Sequence, residues 1–129
     1  MFSHGLGGSR NAYSHICGSL ASHGIVVVAP DHRDGSAPIS FIKDDAKSKL
    51  RAVEYQYYPH ESTPEVEKGR NEQLKIRCWE LGLAHDALLK IDEGVSTTNT
   101  QASGAGDTLK SFKSRLDVHR PGKISWSGE

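Results

Sequence analysis

Residues 25–29, Ile-Val-Val-Val-Ala, restrict the fold of this chain more than any other stretch. Four of the five residues are β-branched, and apolar and polar positions do not alternate. That pattern is typical of a strand buried on both faces, as in a parallel sheet that helices cover. Pro30 ends the run, and a polar loop begins at Asp31. Ligands bind at the corresponding edge of open α/β sheets, so this loop is a candidate site.

A glycine-rich turn lies upstream of this predicted strand and consists of His4, Gly5, Leu6, Gly7 and Gly8. Because glycine has no Cβ, backbone N–H groups in such a turn are open to an incoming oxygen atom. An oxyanion hole needs donors of this kind, aimed where negative charge develops. Only three residues precede the turn, fewer than the about 5–6 of a typical strand, so the strand that leads into the turn is expected to be incomplete.

The charge and hydrophobicity of the chain exclude several classes of protein. Sixteen Lys and Arg balance sixteen Asp and Glu among 129 residues, and neither sign forms a long block. This balance argues against a nucleic-acid partner, which usually needs a basic face. No apolar run approaches the about 20 residues of a membrane-spanning helix, and no signal peptide is visible. We therefore expect no transmembrane segment and a cytoplasmic location.

The cysteines and histidines do not form a metal-binding pattern. Cys17 and Cys78 both fall in helix-like stretches, which predicts free buried thiols in a reducing compartment. The seven histidines are scattered, with no H-E-x-x-H pair and no Cys/His cluster at ligand spacing, so we expect no metal site. His4 adjoins the glycine turn, and its expected role is to hold the turn by hydrogen bonds.

The first helix is predicted over residues 9–23 from apolar residues at helical spacing. Ser9 or Asn11 is its expected cap, and Gly24 follows its end where helices commonly turn left-handed. Residues 1–37 thus form one region of strand, glycine turn, helix, strand and polar loop.

Residues 38–69 show no sustained period and are predicted to be a long insertion, the kind that covers a site or lies disordered. Pro59 and Pro64 mark loop within it. Residues 53–58 alternate weakly and are aromatic, which leaves room for a short strand or an ordered excursion.

The clearest helix is predicted over residues 70–92. Apolar residues at steps of three and four are expected to form its buried stripe: Leu74, Cys78, Leu81, Ala84 (or His85), Leu88 and Ile91. Charged residues are expected on its wetter faces: Arg70, Glu72, Lys75, Glu80 and Lys90. Residues 94–107 are predicted to be a flexible linker, and residues 108–128 a short helix and a strand.

Short buried strands separated by helices indicate an α/β fold with a parallel sheet of about three strands and flanking helices. No complete catalytic motif accompanies it. Gly5 and Gly7 match the start of a dinucleotide fingerprint, but Arg10 stands where the last glycine is required. No serine lies in G-x-S-x-G. A nucleophile elbow begins with a strand that ends in a small residue and a glycine. The predicted strand at the end of this chain has that form, with Ser127 and Gly128 as its last residues.

Four stretches together resemble the platelet-activating-factor acetylhydrolase family, whose members are serine-dependent phospholipase A2 enzymes on the α/β-hydrolase fold. They are residues 2–8 with the S-H-G-L-G motif, residues 20–29, residues 32–36 with H-R-D-G-S, and residues 124–128. The pairing of a leading S-H-G-L-G with a trailing H-R-D-G-S is more specific than either motif alone. The similarity is weaker over the predicted helix 70–92.

The resemblance implies a role for the glycine turn. Leu6 stands at the position whose backbone N–H is one donor of the family's oxyanion hole. His4, Gly5, Gly7 and Gly8 form the turn that supports this donor. The substrate implied for the intact enzyme is a phospholipid with a short sn-2 acyl chain, and the mechanism, acyl transfer to serine and then hydrolysis, implies no cofactor and no metal.

The resemblance also implies that part of the enzyme is missing. Gly128 matches the first glycine of the nucleophile elbow, and Glu129 departs from the histidine usual after it. The nucleophile, acid and base of the triad are absent and expected after Gly128. We therefore expect residues 1–129 to be one incomplete α/β-hydrolase domain, truncated at both ends and inactive by itself.

Two alternatives stay open at this point. The His-Gly-Leu-Gly turn also occurs in other α/β-hydrolase esterases, so the chain is alternatively a dienelactone-hydrolase-like or cutinase-like fragment. A non-catalytic interaction module is the other alternative, because a small parallel sheet has open edges and an uncovered apolar face that favour self-association.

Overall fold

The computed structural model describes residues 1–44, 49–95 and 105–119. Its elements are α1 (Ser14–Ser22), β1 (Ile39–Asp44), β2 (Lys49–Glu54), α2 (Pro64–Glu93) and α3 (Ala105–Lys110). The chain forms two compact units, whose described residues are 1–44 with 49–81 in the first and 82–95 with 105–119 in the second. Within these ranges, no helix combines the length and apolar character needed to cross a bilayer.

Helix α1 is shorter than the predicted helix 9–23. Its N-cap residue is Tyr13, whose side chain makes no capping hydrogen bond, so the expected caps Ser9 and Asn11 are wrong. The carbonyls of Ser9 and Asn11 instead accept backbone hydrogen bonds that form turns before the helix. The C-terminal prediction is confirmed, because Gly24 has a φ of +81°.

The predicted strand over residues 25–29 does not form. Ile25 and Val26 are exposed, which contradicts burial on both faces. The Phe2 N–H donates to the Val28 carbonyl at 2.8 Å, the one backbone hydrogen bond that joins residues 26–29 to another described segment. A strand is stabilised by a ladder of such bonds along a neighbouring strand, and a single bond does not supply one.

The sheet that does form is an antiparallel hairpin within the predicted insertion 38–69. Strand β1 pairs with β2 in a register that places Ile39 opposite Glu54 and Asp44 opposite Lys49. Among the described residues this two-stranded sheet is the only one, so the expected parallel three-stranded sheet is not observed there. Segments close in sequence can pair antiparallel without a crossover connection, which a parallel pair requires.

Helix α2 begins at Pro64, ahead of the predicted start at residue 70. Proline is well placed in a first helical turn, because its missing N–H has no intrahelical partner there. Thr63 caps the helix, with its Oγ1 accepting from the Val66 N–H at 3.3 Å. Glu65 and Glu67 lie in the first turn and complement the helix dipole. Pro64 is therefore a helix start, and its interpretation as a loop marker was wrong.

The buried face of α2 in the first unit is polar. Gln73, Arg77 and Glu80 are buried at steps of four and three residues, so they lie on one side of the helix. Leu74, expected in the buried stripe, is 53% exposed, and Cys78 is exposed as well. The predicted apolar stripe is therefore wrong for these positions, as is the wet face expected for Glu80.

The thiol predictions are confirmed in part. Cys17 and Cys78 are both free cysteines. Cys17 is half-buried and Cys78 is exposed, so the expected burial of both thiols is wrong.

The second unit contains the end of α2, α3 and the residues after it. Asp92 accepts two backbone hydrogen bonds, from Ser114 N to its carbonyl and from Leu116 N to its Oδ1, both at 2.8 Å. Helix α3 begins inside the stretch predicted to be a linker. The remainder of that linker over residues 96–104, the predicted final strand and Gly128 lie outside the described residues.

Candidate active site

The glycine turn is closed by two backbone hydrogen bonds. Gly7 donates to the Ser36 carbonyl at 2.8 Å, and Gly8 donates to the Gly5 carbonyl at 3.0 Å. Gly7 has a φ of +70°, where a Cβ is strained, and a Cβ on Gly8 would lie 3.0 Å from the Gly5 oxygen. Both glycines are therefore required by the shape of the turn, and Ser36 anchors the turn to the polar loop.

The Leu6 N–H is a free donor in this turn. The Gly5 carbonyl, in the same peptide group, accepts from Gly8 N at 3.0 Å and from His4 Nδ1 at 2.9 Å. In a trans peptide the N–H points away from the C=O, so these contacts also set the direction of the Leu6 N–H. Within the described part of the chain this N–H donates no hydrogen bond, and Leu6 is 45% exposed.

An open cleft of about 560 Å³ borders Leu6. Its opposite wall comes from the loop before α2 and from the first turns of that helix, where His60, Glu67, Arg70 and Asn71 contribute side chains. Arg70 is held by Gln73 Oε1 at 2.8 Å, and its guanidinium lies 5.0 Å from the centre of the Tyr58 ring. A small ligand in this cleft has access to the Leu6 face of the turn.

His4 is buried beneath the turn in a single protonation state. Its Nδ1–H donates to the Gly5 carbonyl, and its Nε2 accepts from the His32 N–H at 3.1 Å. This pattern requires the neutral imidazole with its proton on Nδ1. Burial lowers the pKa of His4, although its hydrogen bond to Gly5 acts in the opposite direction. The neutral ring therefore supports the turn by linking the Gly5 carbonyl to the His32 N–H.

His32 lies between a serine and a carboxylate. Its Nε2 is 2.8 Å from Ser3 Oγ, and its Nδ1 is 2.8 Å from Glu80 Oε2. A serine–histidine–acid triad has the same order of contacts. However, the His32 side chain is fully buried, and none of these three residues lines the cleft beside Leu6. The arrangement therefore holds the loop against α2 rather than presenting a nucleophile.

Glu80 is the carboxylate that joins this loop to α2. It accepts from Arg33 Nε at 2.9 Å and from the Arg33 backbone N–H at 3.2 Å, in addition to its contact with His32. Burial acts to raise the pKa of Glu80, but the hydrogen bonds from His32 and Arg33 outweigh it and lower the pKa. The ionised carboxylate is thus the stable form in the folded chain.

Asp34 and Arg77 form a second buried ion pair under the turn. Arg77 Nε donates to Asp34 Oδ2 at 2.8 Å, and the Asp34 side chain is fully buried. Asp34 Oδ1 also accepts from the Ser36 N–H and hydroxyl. Burial acts to raise the pKa of Asp34, but the hydrogen bonds from Ser36 and Arg77 outweigh it and lower the pKa. Gln73 Nε2 completes the set by donating to the Asp34 carbonyl at 3.1 Å.

The structure brings the glycine turn next to the H-R-D-G-S loop, two motifs that sequence analysis identified separately. It also adds residues of α2 that sequence analysis missed as site residues: Gln73, Arg77 and Glu80. In the sequence these three residues form a polar stripe at steps of four and three. The stripe was overlooked because apolar residues recur at helical spacing beside it.

Gly128, the expected start of the nucleophile elbow, lies outside the described residues. Among the described residues no group of three His, Cys, Asp or Glu is placed to hold a metal ion.

Comparison with known proteins places this turn and loop in a recognised family. The sequence model of the family described as Platelet-activating factor acetylhydrolase, isoform II, matches residues 1–127. A protein of Bos taurus named Platelet-activating factor acetylhydrolase is 42% identical over 101 residues, covering 77% of this chain and 23% of that protein. The protein of the same name from Canis lupus familiaris is 41% identical over 97 residues, or 73% of this chain and 22% of its own length.

A fungal relative extends the comparison. A protein of Schizosaccharomyces pombe named "Putative phospholipase A2" is 39% identical over 95 residues, covering 72% of this chain and 22% of that protein. The chain thus spans about a quarter of the length of the curated relatives it matches. Membership of the family implies an α/β-hydrolase-like fold. The match over 127 of 129 residues confirms the resemblance seen in the sequence: the chain belongs to the platelet-activating factor acetylhydrolase, isoform II, family.

Proposed function

We propose that this chain forms the oxyanion-hole region of a serine-dependent esterase that removes short sn-2 acyl chains from phospholipids. The observation that carries the proposal is the free Leu6 N–H, which belongs to a peptide group whose carbonyl is fixed by hydrogen bonds from Gly8 N and His4 Nδ1. Family membership and the names of the relatives, an acetylhydrolase and a phospholipase A2, support the substrate class.

The proposed chemical role of the turn is electrostatic. During acyl transfer to a serine, the carbonyl oxygen of the ester becomes an oxyanion. Leu6 N–H donates to that oxygen, and the pre-set turn requires no reorganisation as the charge develops. The serine, acid and base of the reaction are proposed to lie outside these 129 residues, because no serine here stands in G-x-S-x-G. The reaction needs no metal ion or organic cofactor.

The proposed setting of the turn is a parallel α/β-hydrolase sheet. Phe2 N already bonds to Val28 O at 2.8 Å, which places the residues before the turn beside the apolar run 25–29. Exposed Ile25 and Val26 supply apolar area for further sheet neighbours and covering helices. In this proposal the run 25–29 becomes a strand when such neighbours pair with it.

A chimera tests the role of Leu6. In the Bos taurus relative, the matching segment is replaced by the corresponding residues of this chain, and hydrolysis of a short-chain phospholipid is measured. Leu6→Pro removes the N–H and is expected to lower kcat about 10²–10³-fold, the usual cost of one oxyanion donor. Leu6→Ala keeps the N–H and is the matched control, with kcat expected within about threefold of the parent. Equal kcat values for the two variants, both folded by circular dichroism, contradict the proposal.

The 129-residue chain alone provides a second test. Without a nucleophile in an elbow it is expected to show no hydrolysis of a short-chain p-nitrophenyl ester. The measurement follows hydrolysis across successive purification steps. A rate that stays proportional to the amount of this chain would show that the nucleophile lies within it.

A further inference from the structure

Arg77 is the side chain that touches both sides of the glycine turn. Its guanidinium donates through Nε to Asp34 Oδ2 at 2.8 Å, through Nη1 to the His4 carbonyl at 2.8 Å and through Nη2 to Ser36 Oγ at 2.5 Å. The planar fork of arginine is suited to three such acceptors at fixed angles. The contacts tie α2, the turn and the polar loop to one group.

The two turn contacts flank Leu6 in the sequence. On one side Arg77 holds the His4 carbonyl directly. On the other side it binds the hydroxyl of Ser36, the residue whose carbonyl accepts from the Gly7 N–H at 2.8 Å. The peptide group that carries the Leu6 N–H therefore lies between two residues, His4 and Gly7, that are held by hydrogen bonds.

Asp34 sets the orientation of this guanidinium. Both side chains are buried, so the pair is shielded from water and its geometry is well defined. Asp34 Oδ1 is occupied by Ser36, which leaves Oδ2 for the Arg77 Nε. The remaining N–H groups of the fork then point at the turn and at Ser36.

We infer that Arg77 is a positioning residue for the oxyanion donor. By clamping His4 and, through Ser36, Gly7, it maintains the direction that the bonds to the Gly5 carbonyl give to the Leu6 N–H. The inference rests on the proposed function for its catalytic consequence. The clamp itself, meaning the hydrogen bonds from Arg77 to His4 and Ser36, is observed within the 129-residue chain and does not depend on the proposed function. Arg77 does not touch the substrate in this proposal.

Replacing Arg77 and Asp34 together distinguishes an ion pair that only stabilises the fold from a clamp that also orders the turn. The double variant Arg77→Met with Asp34→Asn removes both charges and leaves no buried ion unpaired, and such replacements are often neutral for stability. The Asn side chain keeps an Oδ1 acceptor for Ser36, so this variant keeps an unchanged turn if Arg77 serves only Asp34. If Arg77 clamps the turn, the turn loosens although the fold is retained.

Amide hydrogen exchange in the 129-residue chain measures the clamp without any activity. In the double variant we expect the Gly7 N–H to exchange at least about tenfold faster, while the Cys17 N–H, bonded to Tyr13 O within α1, keeps its rate. Arg77→Lys retains the charge but not the fork, and we expect it to fold and to raise Gly7 exchange as well. Unchanged Gly7 exchange in either folded variant overturns the inference.

The chimera defined above measures the catalytic consequence. Arg77→Lys is expected to lower kcat about tenfold with KM within about twofold, since a misaligned donor loses part of its transition-state effect. Lys75→Met is the control on the same helix, because it breaks only an exposed pair with Glu72. An equal effect on KM and kcat, or none on kcat, contradicts a positioning role. If Leu6→Pro leaves kcat unchanged, the proposed function fails, while Gly7 exchange still decides the clamp.

Discussion

The glycine turn with its polar loop and the β1–β2 hairpin differ in their side chains: the first buries polar groups, and the second exposes large apolar ones. Around the turn, the side chains of His4, His32, Asp34 and Ser36 are fully buried, and all four are polar. On the hairpin, Phe41 and Leu50 are apolar and are 56% and 68% exposed. Both regions belong to the first unit of the same chain. Both regions thus depart from the usual sorting, in which apolar side chains are buried and polar side chains are exposed.

The difference shows which interactions this chain satisfies by itself. A buried polar group needs a few directional partners, and the turn, the loop and α2 supply them. An exposed apolar side chain needs area to pack against, and the described residues supply little for the hairpin. The turn therefore has a defined geometry, whereas the apolar side chains of the hairpin stay exposed among the described residues.

The largest effect is expected from Asp34→Ala. The variant leaves the Arg77 guanidinium buried without its carboxylate, and breaking such a pair typically costs about 3–5 kcal/mol in the free energy of unfolding. Urea denaturation followed by circular dichroism measures the change. Glu72→Gln removes the carboxylate of an exposed pair with Lys75 and is expected to cause no measurable change. Similar losses in the two variants would contradict the contrast between buried and exposed polar groups.

Acidification is expected to unfold the turn region in two stages. Groups whose pKa is lower in the folded than in the unfolded chain contribute stability above the unfolded pKa and lose it as the pH falls through the folded pKa. Burial lowers the pKa of His4 from its usual 6.5, so the first loss begins below that pH. Asp34 and Glu80, whose pKa values lie below 3.8 and 4.5, contribute the second.

Thermal unfolding at a series of pH values measures this dependence. His4→Asn keeps a donor near the Nδ1 position but cannot be protonated, so it is expected to remove the first stage and retain the second. A transition temperature that rises as the pH falls from 6.5 would show that the sign is wrong.

A smaller effect is expected from Gly7→Ala. Gly7 has a φ of +70°, where a Cβ costs about 1–2 kcal/mol. Gly18→Ala is the matched control, because Gly18 lies inside α1 with no atom within 4 Å of an added Cβ. That control is expected to stabilise the chain by about 0.5–1 kcal/mol, since alanine favours helix. Urea midpoints compare the two, and equal changes of the same sign would contradict the assigned backbone conformations.

The smallest effect on stability is expected from Leu50→Thr on the hairpin. Leu50 is largely exposed and threonine suits a strand, so the free energy of unfolding is expected to change by less than about 0.5 kcal/mol. Self-association is expected to weaken, because the variant removes apolar area beside an open sheet edge. Sedimentation equilibrium over a range of concentrations measures it. A parent chain that is monomeric throughout removes the case for self-association through this surface.

Parts of the structure followed directly from local patterns. The glycine turn, the existence of α1 and α2 and the turn at Gly24 depend on spacing and backbone chemistry within short segments. Helix α2 began earlier than predicted because a proline in a first turn was interpreted as loop. The strand at 25–29 was predicted from apolar character alone, but a strand also needs a hydrogen-bonding neighbour. The described residues provide that neighbour for β1 and β2 instead.

The sequence alone identified the glycine turn, Leu6 as its candidate donor and the family, because motifs and local backbone preferences are encoded in adjacent residues. The sequence also predicted that His4 holds the turn by hydrogen bonds. Only the tertiary structure showed that Asp34 and Arg77 support the turn as well. Residues up to 73 positions apart meet there, as Arg77 and the His4 carbonyl do. The buried face of α2 was predicted from the spacing of its apolar residues, because apolar side chains usually face the core. Hydrogen bonds to distant polar groups decided instead that the polar stripe of α2 is buried, and the stripe by itself does not specify those partners.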